Sequence, residues 1–257
     1  MKRLLTSLVL VPLVCYLVIW APQWLFLTVL IVVALLCYQE YSVITAAYGF
    51  GSAGPLGFVA GPAILLTSWD GASLITALAL IAVAVALRFD QTSHAWPWAA
   101  LFVMGLVYVF GSWKSAIALR AASPYWLLYA LALSWVGDIA AYYFGKHFGR
   151  RKLAPAISPG KTWLGAAASA AGSVLFGLIF LNRLVPAVPA WHVAALSLVA
   201  NAAGQCGDLA ESALKRGAGV KDSGSVLPGH GGMLDRVDSS LFALPVVHFY
   251  LHLVRST

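Results

Sequence analysis

Long apolar runs recur along this chain, separated by short polar segments, and they limit the folds that it can adopt. Hydrophobic residues make up 61% of the sequence and charged residues 10%, and the mean hydropathy is +0.86. In lipid the backbone must satisfy its own hydrogen bonds, which an α-helix does within a single segment. The sequence therefore predicts an all-α polytopic membrane protein.

Hydropathy predicts about nine transmembrane helices, with a range of seven to nine. The predicted spans are 4–20, 24–38, 56–68, 72–87, 98–118, 125–144, 163–181, 191–207 and 240–254. Several of them are shorter than the ~20 residues usual for a spanning helix. The first run follows a basic start, as in a signal peptide, but it is long and no small-residue cleavage site follows it. We therefore expect it to remain as an uncleaved span.

The distribution of basic residues favours a cytoplasmic N-terminus. With that orientation the loops 145–161 and 208–238 face the cytoplasm, in agreement with the positive-inside rule. Their basic residues are Lys146, Arg150, Arg151, Lys152, Lys161, Lys215, Arg216, Lys221 and Arg236. We expect supporting helices over 1–124 and a catalytic region over 125–257. Because no organellar presequence precedes the first span, we expect a prokaryotic inner membrane.

Residues 204–238 concentrate the charges of an otherwise apolar chain. Five of the nine acidic residues lie there, and they are Asp208, Glu211, Asp222, Asp235 and Asp238. Charges are costly next to lipid, so a dense cluster between apolar runs predicts a functional site. The net charge of +7 fits anionic headgroups and an anionic substrate. A nucleic-acid partner is not expected, because the sequence contains no soluble basic domain to bind it.

The spacing within 204–238 predicts two helix ends joined by a turn. Asp208, Glu211, Ser212 and Lys215 stand at i, i+3, i+4 and i+7, which is one helix face. A second helix is expected to begin near Asp235, with Asp238 on the same face, after the glycine-rich turn 228–232. Glycines and a helix start offer backbone N–H groups to an anion, and Mg²⁺ typically takes one or two carboxylates plus phosphate oxygens. This pattern suits a metal–polyphosphate site.

The same segment carries a family resemblance. It reads Ser212-Ala-Leu-Lys-Arg, four further residues, Lys221-Asp222, and then Leu227-Pro-Gly-His-Gly-Gly-Met-Leu-Asp-Arg-Val-Asp238. This run resembles the signature of phosphatidate cytidylyltransferases over 27 positions without a departure. The resemblance implies a membrane enzyme that converts CTP and phosphatidic acid to CDP-diacylglycerol and pyrophosphate for phospholipid biosynthesis.

A second segment resembles an upstream region of the same family. It contains Asp138 within an apolar helix, a Gly-Lys pattern at 145–146 and the run Ile157-Ser-Pro-Gly-Lys-Thr-Trp163. We expect Asp138 to face protein or water rather than lipid. Ser158, Lys161 and Thr162 are predicted to present donors to phosphate at the start of the seventh span. Gly160 and Leu164 depart from the family pattern, which has a basic residue and a glutamate there.

The resemblance and the chemistry together assign the candidate roles. The predicted catalytic residues are Asp208, Asp235, Lys215 and Lys221. The predicted metal ligands are Asp208, Asp235 and Asp238, for Mg²⁺ or another divalent cation, with one ion or two. The predicted substrate-binding residues are Ser158, Lys161, Thr162, Ser212, Arg216, Asp222, His230 and Arg236. For His230, a phosphate contact and a structural role in the glycine turn are equally open.

Three functions remain open from the sequence, together with two modes of helix packing. Besides the cytidylyltransferase, the chain is compatible with a CTP-using lipid kinase that releases CDP, or with an ion-coupled transporter. The transporter is the weakest, because most acidic residues lie at one face and no internal repeat is visible. Small residues spaced four apart, Gly165, Ser169, Ser173 and Gly177, predict close helix packing within one protomer or, alternatively, a homodimer seam.

Overall fold

The chain folds into helices and one short β-hairpin. The computed structural model describes residues 2–52, 54–68, 71–88, 91–185, 188–226 and 231–256, and within them the following elements. The helices are α1 (Lys2–Ile19), α2 (Gln23–Thr45), α3 (Gly54–Leu66), α4 (Gly71–Ala86), α5 (Thr92–Gly105), α6 (Ser112–Ala122), α7 (Pro124–Phe148), α8 (Trp163–Leu184), α9 (Ala190–Gly217) and α10 (Leu234–Ser256). The strands are β1 (Lys152–Ala154) and β2 (Ser158–Thr162). A π-helical turn, Ala46–Phe50, follows α2, and a second one, Leu106–Gly111, joins α5 to α6.

Several of these helices have the length and apolar composition of membrane spans. Five meet both criteria within the described residues: Gln23–Phe50, Thr92–Ala122, Pro124–Phe148, Trp163–Leu184 and Leu234–Val254. Shorter apolar helices are Val9–Ile19, Gly54–Leu66 and Ser73–Ala86. The multi-pass, all-α class is therefore confirmed. Each predicted span overlaps a helix, but the nine-span count and the cytoplasmic N-terminus stay predictions.

The first charged loop is more ordered than the sequence predicts, and the second contains the two helix ends that its spacing predicts. In the first, α7 continues to Phe148, and the antiparallel hairpin then pairs Lys152 with Thr162 and Ala154 with Ser158. In the second, α9 continues to Gly217 and α10 begins at Leu234, and the described residues between them, 218–226 and 231–233, are not helical. Hydropathy ends a span where charges begin, whereas the helical hydrogen bonds continue beyond that point.

The chain divides into two compact units. The first unit comprises Met1–Val11, Ala21–Ile117 and Leu214–Arg236, and the second comprises Pro12–Trp20, Ala118–Ala213 and Val237–Thr257. The core of the first unit is aromatic: Tyr38 and Phe110 are fully buried, with ring centroids 5.3 Å apart. Gly57 and Gly61 of α3 lie directly against these two rings, where a Cβ would overlap them. The predicted division at residue 124 concerns roles rather than contacts and stays a prediction.

Polar contacts link buried helix faces in the second unit. Asn201 of α9 donates from Nδ2 to Ser169 Oγ and to Ser173 Oγ of α8, each at 2.9 Å. Ser173 Oγ in turn donates to the carbonyl of Leu133 in α7 at 3.3 Å. Because hydroxyl and amide groups between apolar helices have few other partners, these bonds define how the three helices pack.

The small-residue face of α8 packs inside this unit. Gly165, Ser169, Ser173 and Gly177 are all buried. Gly177 lies where an added Cβ would overlap Ser197 Oγ and approach Tyr129 to 3.3 Å, and those two side chains share a 2.8 Å hydrogen bond. The prediction of packing within one protomer is confirmed, so this face does not provide the alternative dimer seam.

We expect Gly177→Ala to lower the free energy of unfolding by about 1–3 kcal/mol, because the added methyl group displaces Ser197 from a close-packed position. Thermal unfolding of the purified protein in detergent measures this change. Gly160→Ala is the matched control, since a Cβ at that position meets nothing within 4 Å. An unchanged unfolding temperature in Gly177→Ala would contradict the packing described here.

Candidate functional site

The predicted site residues form two groups, one in each unit, and the first is centred on an ion pair. Lys215, in the last turns of α9, pairs with Asp235 Oδ1 in the first turn of α10. Asp235 Oδ2 accepts hydrogen bonds from the backbone N–H groups of Ser223 and Gly232, each at 2.9 Å. Asp235 therefore ties together α9, the start of α10 and the segment between them.

The remaining charged residues of this segment lie at the surface. Arg216, Lys221, Asp222 and Arg236 are exposed, and Arg216 Nη1 donates to the carbonyl of Val220 at 3.0 Å. Exposed cations on a structured segment can form charge-assisted hydrogen bonds with phosphate groups. His230 and the rest of 227–230 lie outside the described residues, so the predicted glycine turn is described only from Gly231, whose φ is +80°.

Glu40 belongs to the first group and was not singled out from the sequence, because it lies in the connection between the predicted spans 24–38 and 56–68. It lies in α2 and is buried, and its carboxylate accepts hydrogen bonds from Ser223, Met233 and Leu234. A signal was available, since an acidic residue at the end of a long apolar run must find polar partners. The identity of those partners depends on the tertiary structure.

The second group, in the second unit, gathers carboxylates around a lysine. Lys161 Nζ, from strand β2, lies 2.6 Å from Asp208 Oδ2 of α9. Asp138 of α7 interacts electrostatically with both Asp208 and Lys161. Asp238 of α10 interacts electrostatically with Asp208, Asp138 and Glu211. Asp138 is exposed in the structure, so its expected orientation toward protein or water stays a prediction. Its electrostatic neighbours include the basic residue Lys161.

A small polar cavity of about 10 Å³ adjoins this group within the second unit. Its lining residues are Ser134, Asp138, Ser169, Asn201, Gly204, Gln205 and Ser239. The cavity has room for about one water molecule. The hydroxyl and amide groups of this cavity give Asp138 polar neighbours.

Three residues of strand β2 were predicted to face phosphate, and their surroundings differ from one another: Ser158, Lys161 and Thr162. Thr162 is the N-cap of α8: its Oγ1 accepts a hydrogen bond from Gly165 N at 3.1 Å, and its side chain is buried. Gly145 and Gly149 pack closely against the same hydroxyl group. Capping and burial explain Thr162 without a ligand. Lys161, also in β2, pairs with Asp208, and Ser158 is half-buried in the same strand.

The carboxylates of the second group have the chemistry of a divalent-cation site. Asp208, Asp138 and Asp238 are hard oxygen donors that interact with one another, and a cation among them would relieve the mutual repulsion. Within the described ranges, no three His, Cys, Asp or Glu residues are arranged to hold a metal ion by themselves. Mg²⁺ bound to a nucleotide needs only one or two carboxylates, so the donor set fits.

The structure brings some predicted residues together and leaves others apart. Lys215 pairs with Asp235, Lys161 pairs with Asp208, and Ser212 Oγ donates to Asp208 Oδ1 at 3.4 Å, as the i, i+4 spacing predicted. Lys221 and Asp222 are exposed. The polar residues Ser134, Asn201 and Gln205 were not singled out from the sequence, because serine and amide residues in an apolar run carry no distinctive pattern.

Comparison with known proteins gives one family. The profile of the cytidylyltransferase family matches residues 1–254. Phosphatidate cytidylyltransferases of Brucella suis biovar 1 (strain 1330) and Brucella melitensis biotype 1 are each 40% identical over 191 residues, which is 72% of this chain and 68% of theirs. The phosphatidate cytidylyltransferase of Staphylococcus aureus (strain COL) is 40% identical over 153 residues, 60% of this chain and 59% of its own.

Proposed function

Because the chain belongs to the cytidylyltransferase family, we infer that it is a phosphatidate cytidylyltransferase, a nucleotidyltransferase of phospholipid biosynthesis. It transfers CMP from CTP to phosphatidic acid and gives CDP-diacylglycerol and pyrophosphate. The profile match over almost the whole chain carries this inference, together with relatives of that name at 40% identity. The resemblance of residues 212–238 to the family signature points to the same reaction.

The chemistry explains why the candidate residues are charged. The phosphate of phosphatidic acid is already ionised near neutral pH, so its oxygen attacks the α-phosphorus of CTP without a protein base. A bond from that oxygen to phosphorus forms, the bond to the bridging oxygen breaks, and pyrophosphate leaves. The protein must hold two anions together and stabilise the charge that develops. We assign phosphate contacts to Lys161, Arg216, Lys221 and Arg236.

We further propose that the reaction requires Mg²⁺. Asp208 and Asp238, which interact within the second unit, would hold the ion. Bound there, Mg²⁺ supplies positive charge to the phosphate oxygens. A metal role of Asp235 also stays a prediction: like Asp208 it pairs with a lysine, and it accepts two backbone hydrogen bonds as well. The number of ions, one or two, also stays a prediction.

We propose the membrane topology from the distribution of basic residues. Nine spans with a cytoplasmic N-terminus would place the basic residues of 145–161 and 208–238 on the side where CTP is found. The five long apolar helices and the three shorter ones account for eight of these spans. The remaining predicted span, 191–207, lies in α9, which is not among them. We propose the prokaryotic inner membrane as the location. A homodimer also stays a prediction.

Pyrophosphate release by the purified protein tests the function. With CTP, Mg²⁺ and phosphatidic acid supplied, we expect release that needs all three and CDP-diacylglycerol in equal amount. Each component is omitted in turn. Formation of CDP instead would identify a lipid kinase. No nucleotide turnover by folded, lipid-supplied protein would contradict the assignment and favour the transporter, whereas turnover without a divalent cation would contradict only the Mg²⁺ requirement.

A further inference from the structure

Glu40 makes the longest-range polar contacts described in the first unit. Its side chain is 4% exposed. Oε2 accepts hydrogen bonds from Ser223 Oγ and Leu234 N, and Oε1 accepts one from Met233 N, all at 2.8 Å. These partners stand 183 to 194 positions away in the sequence. A single buried carboxylate of α2 therefore binds both ends of the segment that leads into α10.

The backbone groups that Glu40 binds would otherwise have no partner inside their own helix. Leu234 is the first residue of α10, and Met233 precedes it. N–H groups at a helix start point away from the helix without an acceptor, and a negative charge there is favourable. A neighbouring side chain usually meets this need. Here the carboxylate comes from a distant helix, so the start of α10 depends on α2.

Ser223 links Glu40 to Asp235. The Ser223 hydroxyl group donates to Glu40 and accepts a hydrogen bond from the backbone N–H of Asp235 at 3.3 Å. The backbone N–H of Ser223 donates to Asp235 Oδ2. Gly232 also lies against both acidic residues. Its N–H donates to Asp235, and a Cβ at Gly232 would overlap Glu40 Oε2. At Gly224 a Cβ would lie 2.6 Å from Glu40 Oε1. The same short stretches of backbone are thus fitted between two carboxylates.

We propose that Glu40 is a positioning residue for cytidylyl transfer: it fixes the start of α10 and, through Ser223, the orientation of Asp235 and of the segment that carries Lys221. This rests on the proposed function. Glu40 itself contacts protein groups rather than substrate. The role needs a carboxylate, because a glutamine offers one acceptor oxygen and two N–H donors. Its amide group would face backbone donors and lose part of the three hydrogen bonds.

Glu40→Gln in the full-length protein tests the proposal. We expect kcat to fall about 10- to 100-fold, the range typical for residues that orient ligands from behind, with a much smaller change in KM for CTP. Hydrogen exchange of peptides covering 223–236 should become faster, which reports the lost contacts independently of activity. Thr45→Val is the matched control: Thr45 is also buried in α2, but its hydroxyl group binds the carbonyls of Tyr41 and Ser42 in the same helix. It should match wild type in both measurements.

Ser223→Ala provides a second route to the same contact. Because Ser223 and Glu40 share a hydrogen bond, we expect the double variant to lose less activity than the product of the single losses. Wild-type kcat and exchange in a folded Glu40→Gln protein would overturn the proposal, as would strictly multiplicative losses in the double variant. If Glu40→Gln does not fold, Glu40→Asp and Ser223→Ala decide by the same two readouts. An inactive wild type would contradict the proposed function, while exchange would still decide the role of Glu40.

Discussion

Replacing Asp235 with asparagine is expected to lower kcat for pyrophosphate release by at least about 1,000-fold while leaving the protein folded. The substitution keeps the shape of the side chain and its acceptor oxygen for the N–H groups of Ser223 and Gly232. It removes the negative charge that pairs with Lys215 and that the family resemblance assigns to the metal. Loss of one preorganised electrostatic group in an active site commonly costs 10²- to 10³-fold, and loss of a metal ligand adds to this.

The measurement is the three-component pyrophosphate assay, with thermal unfolding recorded in parallel. Asp90→Asn is the matched control, because it makes the same chemical change at a position with no predicted role in the reaction. Wild-type activity in Asp235→Asn would contradict both a catalytic and a metal-binding role of this residue. An increase in the Mg²⁺ concentration needed for half-maximal rate would distinguish a metal ligand from a residue that only anchors the backbone.

Asp208→Asn is expected to lower kcat by a similar factor. A Lys161 variant distinguishes a metal-binding role of Asp208 from a role as the partner of Lys161. Asp208 pairs with Lys161 at 2.6 Å and interacts with Asp138 and Asp238. If Asp208 served only as the partner of Lys161, Asp208→Asn and Lys161→Gln would lose the same activity, and the double variant would lose no more than either. If Asp208 is a metal ligand, the Asp208→Asn protein should instead lose at least about 1,000-fold in kcat and require more Mg²⁺.

Steady-state rates at a series of Mg²⁺ concentrations decide between these outcomes. Arg183→Gln, which changes an exposed cation in the last turn of α8, serves as the control for a general effect of charge on a membrane-bound enzyme. We expect it to retain wild-type kcat. Equal losses in Asp208→Asn and Lys161→Gln, with an unchanged Mg²⁺ requirement, would contradict the metal assignment of Asp208.

The helix faces of the charged segment were predictable because they follow from local geometry. The i, i+4 relation of Asp208 and Ser212 and the start of a helix near Asp235 both agree with the structure. Helical periodicity operates within one element, so a single sequence suffices to read it. The small-residue face of α8 belongs with these, since close packing is the reason for such spacing.

The function of individual polar residues was harder to predict, and Thr162 and Glu40 show why. Thr162 was predicted to face phosphate, yet its hydroxyl group caps α8. Glu40 was placed in a connection, yet it binds the start of α10. A hydroxyl or carboxylate group can satisfy a helix end, a buried partner or a ligand equally well. Which of these it does depends on what the fold brings within about 3 Å of it.

The sequence alone determined the membrane class, the approximate helices and the family, because hydropathy, periodicity and a dense signature are properties of the linear chain. Which charges meet depends on how the chain folds. Lys161 and Asp208 are 47 positions apart, and Glu40 and Leu234 are 194 apart. Electrostatic and hydrogen-bond energies fall steeply with distance in space and do not depend on separation along the chain. The partners of Asp208 and Glu40 therefore became visible only in the folded protein.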